Sequence, residues 1–414
     1  MTPSATAANP NAVFTRRYDL DWLRIIAFGL LILYHVGMFF VTWDWHVKSP
    51  QANHGPEFAM MLLNPWRLAL LFFISGVAIR YLSDKLGAGR FALDRTWRLL
   101  PVIVFGMIVV VMPQTWAQLR QAGVIEEGLW AFWPHYITGW EIGGIEVPTW
   151  NHLWYVVYLL IYCLLLAPLI PLLRRFTDGP LARAMRVFDR PVLGAAVLFL
   201  LPVLPFLAYE AWLTPHFPTT HNLVWDWANH AHRFTILLMG YFVAKNEAFW
   251  RAIDRILPLV LGYAVAFALA FGWGLARPDA DWAGQGWLAD ILFGPARIYY
   301  AWAMILALLG LARRFLSGDG PLRRYLTDAI FPYYILHQTI TVLTGYWLAP
   351  MALDVWTEFA ILVGVTAGGC VLGYEIVRRI PLLRPVMGLK WRAGARHGRA
   401  ASAVSPASSP ARPV

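Results

Sequence analysis

An all-α fold, a polytopic bundle of about ten transmembrane helices, is predicted by three observations: the chain is too apolar for water, its apolar runs have spanning length, and its basic residues gather on one side of them. Of the 414 residues, 59% are hydrophobic and 14% are charged, with 22 Trp, 24 Phe and 17 Tyr. A soluble domain carries charge on about a quarter of its residues, so lipid must solvate much of this surface.

A span needs about 20 mostly apolar residues. Runs of that kind lie at roughly 20–42, 60–82, 97–113, 152–173, 191–210, 232–246, 255–276, 287–311, 328–349 and 356–379. Breakers such as Asp178-Gly179-Pro180 and Gly318-Asp319-Gly320-Pro321 separate them. The first run follows Arg16 and Arg17 with no small-residue cleavage site behind it, which predicts a retained anchor. With the N-terminus inside, one side collects Arg80, Lys85, Arg90, Arg95, Arg98, the 174–190 arginines, Arg313, Arg314, Arg323, Arg324 and the C-terminal basic residues. Lys48, Arg120 and Arg277 fall on the other side, with Arg67 and Arg233 where spans begin. This bias predicts both termini in the cytoplasm.

The expected organisation is a disordered N-terminus at 1–15, one transmembrane domain at 16–380 and a basic disordered tail at 381–414. The net charge of +10 is spread between apolar runs, so no nucleic-acid partner is expected. Cys163 and Cys370 lie inside apolar runs and form no disulfide framework. No internal repeat is visible, which disfavours a two-halved transporter. The 113–151 segment holds Trp116, Trp130, Trp133, Trp140 and Trp150, read either as an interfacial belt or as a platform for sugar rings.

The chemistry concentrates in the first span. Arg24 and His35 interrupt an otherwise apolar helix. Eleven residues make three turns plus roughly 20°, so both project from one face, about 16 Å apart along the axis. A cation at bilayer depth costs at least about 2.5 kcal/mol, so the pair predicts a polar channel crossing the membrane. The plainer alternatives are an Arg24–Asp21 pair and a satisfied core histidine. His152 is placed at the outer start of the fourth span, and His337 inside the ninth. His221, His230 and His232 lack a ligand set of known spacing, and no metal is expected. No GxSxG elbow, P-loop or dinucleotide fingerprint occurs.

Arg24, ten intervening residues and His35 resemble the Arg-X10-His signature of membrane-bound acyltransferase family 3. Arg95-Thr-Trp-Arg98 resembles its cytoplasmic Arg-X-X-Arg signature. The runs Phe72-Phe-Ile-Ser-Gly76, His152-Leu-Trp-Tyr155 and Tyr334-Ile-Leu-His337 look like its recurring segments. Trp45-His-Val-Lys-Ser49 is similar to a stretch of the branch that modifies osmoregulated periplasmic glucans, the glucan succinyltransferase type.

The resemblance implies an enzyme of a bacterial inner membrane. It would move an acetyl or succinyl group from cytoplasmic acyl-CoA (acetyl-CoA or succinyl-CoA) to a hydroxyl of an extracytoplasmic glycan. His35 would act as general base, Arg95 and Arg98 would clamp coenzyme A phosphates, and Arg24 would line the path between them. His152 and His337 would line the site. A multi-pass exporter of a sugar or acyl-lipid is the rival reading, and an inactive assembly partner a third.

Overall fold

The computed structural model describes residues 16–276 and 287–391. The expectations for 1–15, for Arg277 and for the tail beyond 391 lie outside the described residues.

The described chain is almost entirely helical. The first three helices are α1 (Tyr18–Met38), α2 (Glu57–Lys85) and α3 (Ala88–Phe105). α3 passes through a π turn at Gly106–Val110 into α4 (Met112–Gln121), which α5 (Leu129–Thr138) follows. Next come α6 (Trp154–Leu166), α7 (Ile170–Phe176), α8 (Pro191–Leu200) and α9 (Leu204–Trp212). The remainder is α10 (Trp227–Val243), α11 (Glu247–Leu275), α12 (Trp287–Phe293), α13 (Pro295–Phe315), α14 (Pro321–Leu348), α15 (Val355–Arg379) and the short α16 (Leu383–Val386).

Among the described residues, eight helical stretches are long and apolar enough to cross a membrane. The two other spans expected from sequence are helical as well. One is α10, short at 17 residues and bearing His230, His232 and Arg233; the other is α14, bearing Arg323, Arg324, Asp328, His337 and Gln338. Polar side chains are dear in lipid, so these helices belong in the interior, and α14 packs between α1 and α15.

One end of the bundle is tied by charge. Arg323, only 2% exposed, donates to Asp21 and Asp319 at 2.7 Å each. Arg80, equally buried, reaches Asp84 at 2.9 Å and Asp178 at 2.6 Å. The opposite end is aromatic. There a second small core, including Phe39, Val47, Met112, Trp116, Phe132, Tyr136 and Val342, packs beneath the connections.

The segment 113–151 is more ordered than a loop. The π turn leaves carbonyls unclaimed by the helix, and side chains take them. Tyr136 Oη donates to Met107 O at 2.9 Å, Trp133 Nε1 to Ile108 O at 3.0 Å, and Thr339 Oγ1 to Val110 O. Gly143 and Gly144 both have positive φ and close a two-residue hairpin, Glu141–Ile142 against Ile145–Glu146. Trp116 and Trp150 donate to backbone carbonyls, whereas Trp130 and Trp140 are exposed rings.

Helical structure continues past Ile380. Residues 382–391 carry α16 and bury Met387 to 3% exposure in the main core, because Leu383 and Met387 are apolar enough to dock there.

The closest helix crossing joins α2 to α10. A Cβ on Gly76 would lie 1.9 Å from Leu237 O, and one on Gly240 would lie 2.0 Å from Phe73 O. Small residues let backbones meet in this way. Gly76→Ala and Gly240→Ala are each expected to cost about 1–3 kcal/mol, read as lower thermal midpoints in detergent. At Gly262, in the interior of α11, an added Cβ meets nothing within 4 Å. Gly262→Ala is therefore expected to stabilise by roughly 0.5–1 kcal/mol.

Candidate active site

The three histidines singled out in the sequence meet at the aromatic half of the bundle. His35 Nδ1 lies 2.7 Å from His337 Nε2, with the rings 5.0 Å apart and 3° from parallel. His337 Nδ1 lies 2.6 Å from the carbonyl oxygen of Tyr334. A carbonyl only accepts, so His337 carries its proton on Nδ1 and, as a neutral ring, accepts at Nε2. His35 must then donate from Nδ1, which leaves the lone pair of His35 Nε2 free. His337 is fully buried while His35 is half-buried, so His35 is the member of the pair with access.

His152 is buried within the protein. It is 6% exposed, lies within the 3-10 turn Asn151–Leu153, and sets its ring edge-on to His337 at 5.3 Å. Its Nε2 donates to Ile335 O at 3.1 Å, and Tyr334 Oη donates to the His152 carbonyl. Ser75 and Tyr155 share a hydrogen bond at 2.7 Å. The runs 72–76, 152–155 and 334–337, far apart in sequence, are thus neighbours.

A polar cluster beside these histidines was not anticipated. His46 Nδ1 donates to Gln118 Oε1 at 2.5 Å, and its Nε2 accepts from Gln338 and Asn151 at 3.0 Å. Gln114 Oε1 accepts from Asn151 at 2.9 Å and from Gln338 at 3.1 Å. The available signal was an amide inside an apolar span, Gln338, and another, Gln114, just past the end of one.

Arg24 lies toward the charged end. Asp21 is already committed to Arg323 and Arg16 at 2.7 Å each, so it stays 3.8 Å from Arg24. Arg24 Nε is buried with no partner. Arg95 and Arg98 are one turn apart on α3. Arg95 is partly engaged, with Nε donating to Asp94 at 3.0 Å. Arg98 is exposed and within electrostatic range of both Arg95 and Arg24.

The polar channel expected between Arg24 and His35 is corrected by the packing. On that face of α1, Phe28 and Leu31 are each 3% exposed. The Phe28 ring meets Tyr334 at 5.2 Å and Tyr155 at 6.2 Å. Rings fill the interval because the apolar residues of that stripe bury best against one another, and only the tyrosine hydroxyls bring polarity into it.

His221 stacks on Trp154 at 4.3 Å and His230 on Tyr158 at 4.4 Å, while His232 faces Phe206 and Tyr209. Asp226, fully buried, accepts from Tyr158 Oη at 2.6 Å and from the Thr220 and His221 amides, pinning the preceding connection to α6.

Two histidines in the connections make stability depend on pH. Burial lowers His46, with hydrogen bonds to Gln118 and Asn151 opposing in part, and burial brings His221 down to about 4. Unfolded imidazoles take up protons below about 6.5, whereas these folded ones do not until lower pH. The unfolded state then binds more protons, and stability falls as pH drops below about 6.5. The loss is expected at up to about 1.4 kcal/mol per pH unit for each histidine. Thermal midpoints in detergent from pH 7.5 to 5 should fall, with a shallower slope in His221→Asn. An equal slope in that variant would exclude His221 as a source.

Residues 17–375 match the family model described as an acyltransferase domain. Curated relatives include glucans biosynthesis protein C of Escherichia coli O157:H7, 21% identical over 383 residues, which cover 89% of this chain and 93% of that protein. The protein of the same name from Escherichia coli K12 is 22% identical over the same shares. No solved structure matches the chain. Matched over nearly its whole length, this polytopic helical chain belongs to membrane-bound acyltransferase family 3 and is an acyltransferase.

Proposed function

We propose that the enzyme transfers an acyl group from acyl-CoA, held at the charged, cytoplasmic end, to a hydroxyl of an extracytoplasmic glycan at the aromatic end, in a bacterial inner membrane. The observation that carries this reading is the proton chain His35–His337–Tyr334 carbonyl, which leaves His35 Nε2 as a free acceptor. The sugar hydroxyl gives its proton to His35 Nε2 as its oxygen attacks the thioester carbonyl. Collapse of the tetrahedral intermediate breaks the C–S bond, and the departing sulfur takes the proton from His35. His337 holds the His35 ring by accepting its Nδ1 proton throughout.

Arg98, Arg95 and Arg24 supply guanidinium groups suited to phosphate oxygens, and the unpartnered Arg24 Nε supports a role in holding the donor. The thin arm of the donor has to pass Phe28, Tyr155 and Tyr334 to bring its carbonyl to His35. The amide cluster of Gln114, Asn151 and Gln338 around His46 suits recognition of sugar hydroxyls. The names of the relatives support a glucan acceptor.

His35→Ala is expected to give a folded, inserted protein with acyl transfer reduced roughly 10²–10⁴-fold, read by mass spectrometry of periplasmic glycans for one acetyl or succinyl unit. Undiminished acylation would remove the mechanism. Titration with acetyl-CoA and succinyl-CoA should show Arg98→Ala binding about tenfold more weakly, the size of one lost charge-assisted hydrogen bond. Asp94→Asn, which frees Arg95, should bind more tightly. Unchanged affinity in both variants would place the donor elsewhere.

A further inference from the structure

A cavity of about 280 Å³ opens between α2, α9, α10 and α13, at the aromatic end and apart from the histidine centre. Its polar wall is cationic: Arg233 and Arg297 line it, with Glu210 the one acid among its lining residues. Arg233 spends its Nε on Asn229 at 2.9 Å, and its two terminal nitrogens are bonded to no described residue. Arg297 reaches Glu210 only at 4.0 Å. Behind this wall lies Arg67, 6% exposed, whose Nε and Nη1 have no partner. Its Nη2 donates at 3.3 Å to Asn64, itself a lining residue, and its guanidinium lies over the Tyr34 ring. Buried cations with little counter-charge are costly, and an anion in the cavity would offset that cost.

The rest of the lining is mixed, with polar Asn64, Thr219 and His232 beside an apolar strip of Ile236, Ile298 and Ile305. The wall contributed by α9 belongs to the stretch Pro191–Trp212, of which only 17% is buried within the protein, so its far side faces lipid. Arginines beside an apolar strip, next to a peripheral helix, match an amphiphile more closely than a free ion.

We propose that this cavity binds a lipid with an anionic headgroup, the headgroup oxygens on Arg233 and Arg297 and an acyl chain along the isoleucines. The site stands independently of the acyl-transfer reading and uses none of its residues.

The test uses the full chain purified in neutral detergent, with native mass spectrometry reading the bound fraction of phosphatidylglycerol against phosphatidylcholine and inorganic phosphate added as competitor. Phosphatidylglycerol should bind at least about tenfold more tightly than phosphatidylcholine. Arg233→Ala and Arg297→Ala should each weaken it by roughly tenfold. Glu210→Gln, which removes the rim acid, should strengthen it, a gain that misfolding does not produce. Equal binding of the two lipids, unchanged affinity in all three variants, or phosphate binding without retention of phosphatidylglycerol would each overturn the proposal.

Discussion

A neutral imidazole offers a lone pair at a chosen nitrogen only when something holds the proton on the other, and here the backbone of α14 does this. The carbonyls of Tyr334 and Ile335 take the ring protons of His337 and His152. His337 in turn takes that of His35. Each carbonyl has two lone pairs, so α14 serves side chains without giving up its helical bonds. This places a polar stripe on a helix that must sit in the interior, and the packing of α1 and α15 around α14 is the consequence.

At the charged end, competition for acids decides which arginines are structural. Asp21 is pulled toward Arg323, which clips α1 to α14, and Asp84 gathers Arg80, Arg174 and Lys245, which clips α2 to α7 and to the α10–α11 connection. Arg24 is the cation left over by that competition. Breaking a buried pair costs several kcal/mol because the surviving charge is stranded, so Asp21 is not free to turn toward Arg24 while Arg323 stands beside it. The same accounting separates Arg98, exposed and without an acid, from Arg95, which shares Asp94.

Between the two ends, the rings of Phe28, Tyr155 and Tyr334 separate the arginines of the charged end from the histidine cluster. The carbonyls of the π turn at 106–110 bind Tyr136, Trp133 and Thr339 and so anchor the aromatic segment beside the histidine cluster. That arrangement keeps the two ends apart, with the hydroxyls of Tyr155 and Tyr334 the polar groups within the ring layer.

Runs of apolar residues, the one-sided basic residues and the shared face of Arg24 and His35 were legible because each depends on a local period, 20 residues per span or 3.6 per turn. The same holds for Arg95 and Arg98, one turn apart. The partnership of His35 with His337, 302 positions away, was not legible, nor was the cluster joining His46, Gln114, Asn151 and Gln338. Contacts between helices depend on rotation and axial offset, which close-packed residues such as Gly76 and Gly240 determine only once the bundle assembles. A period along one chain segment says which face a residue occupies; it carries no term for what stands opposite, and that was decided by packing alone.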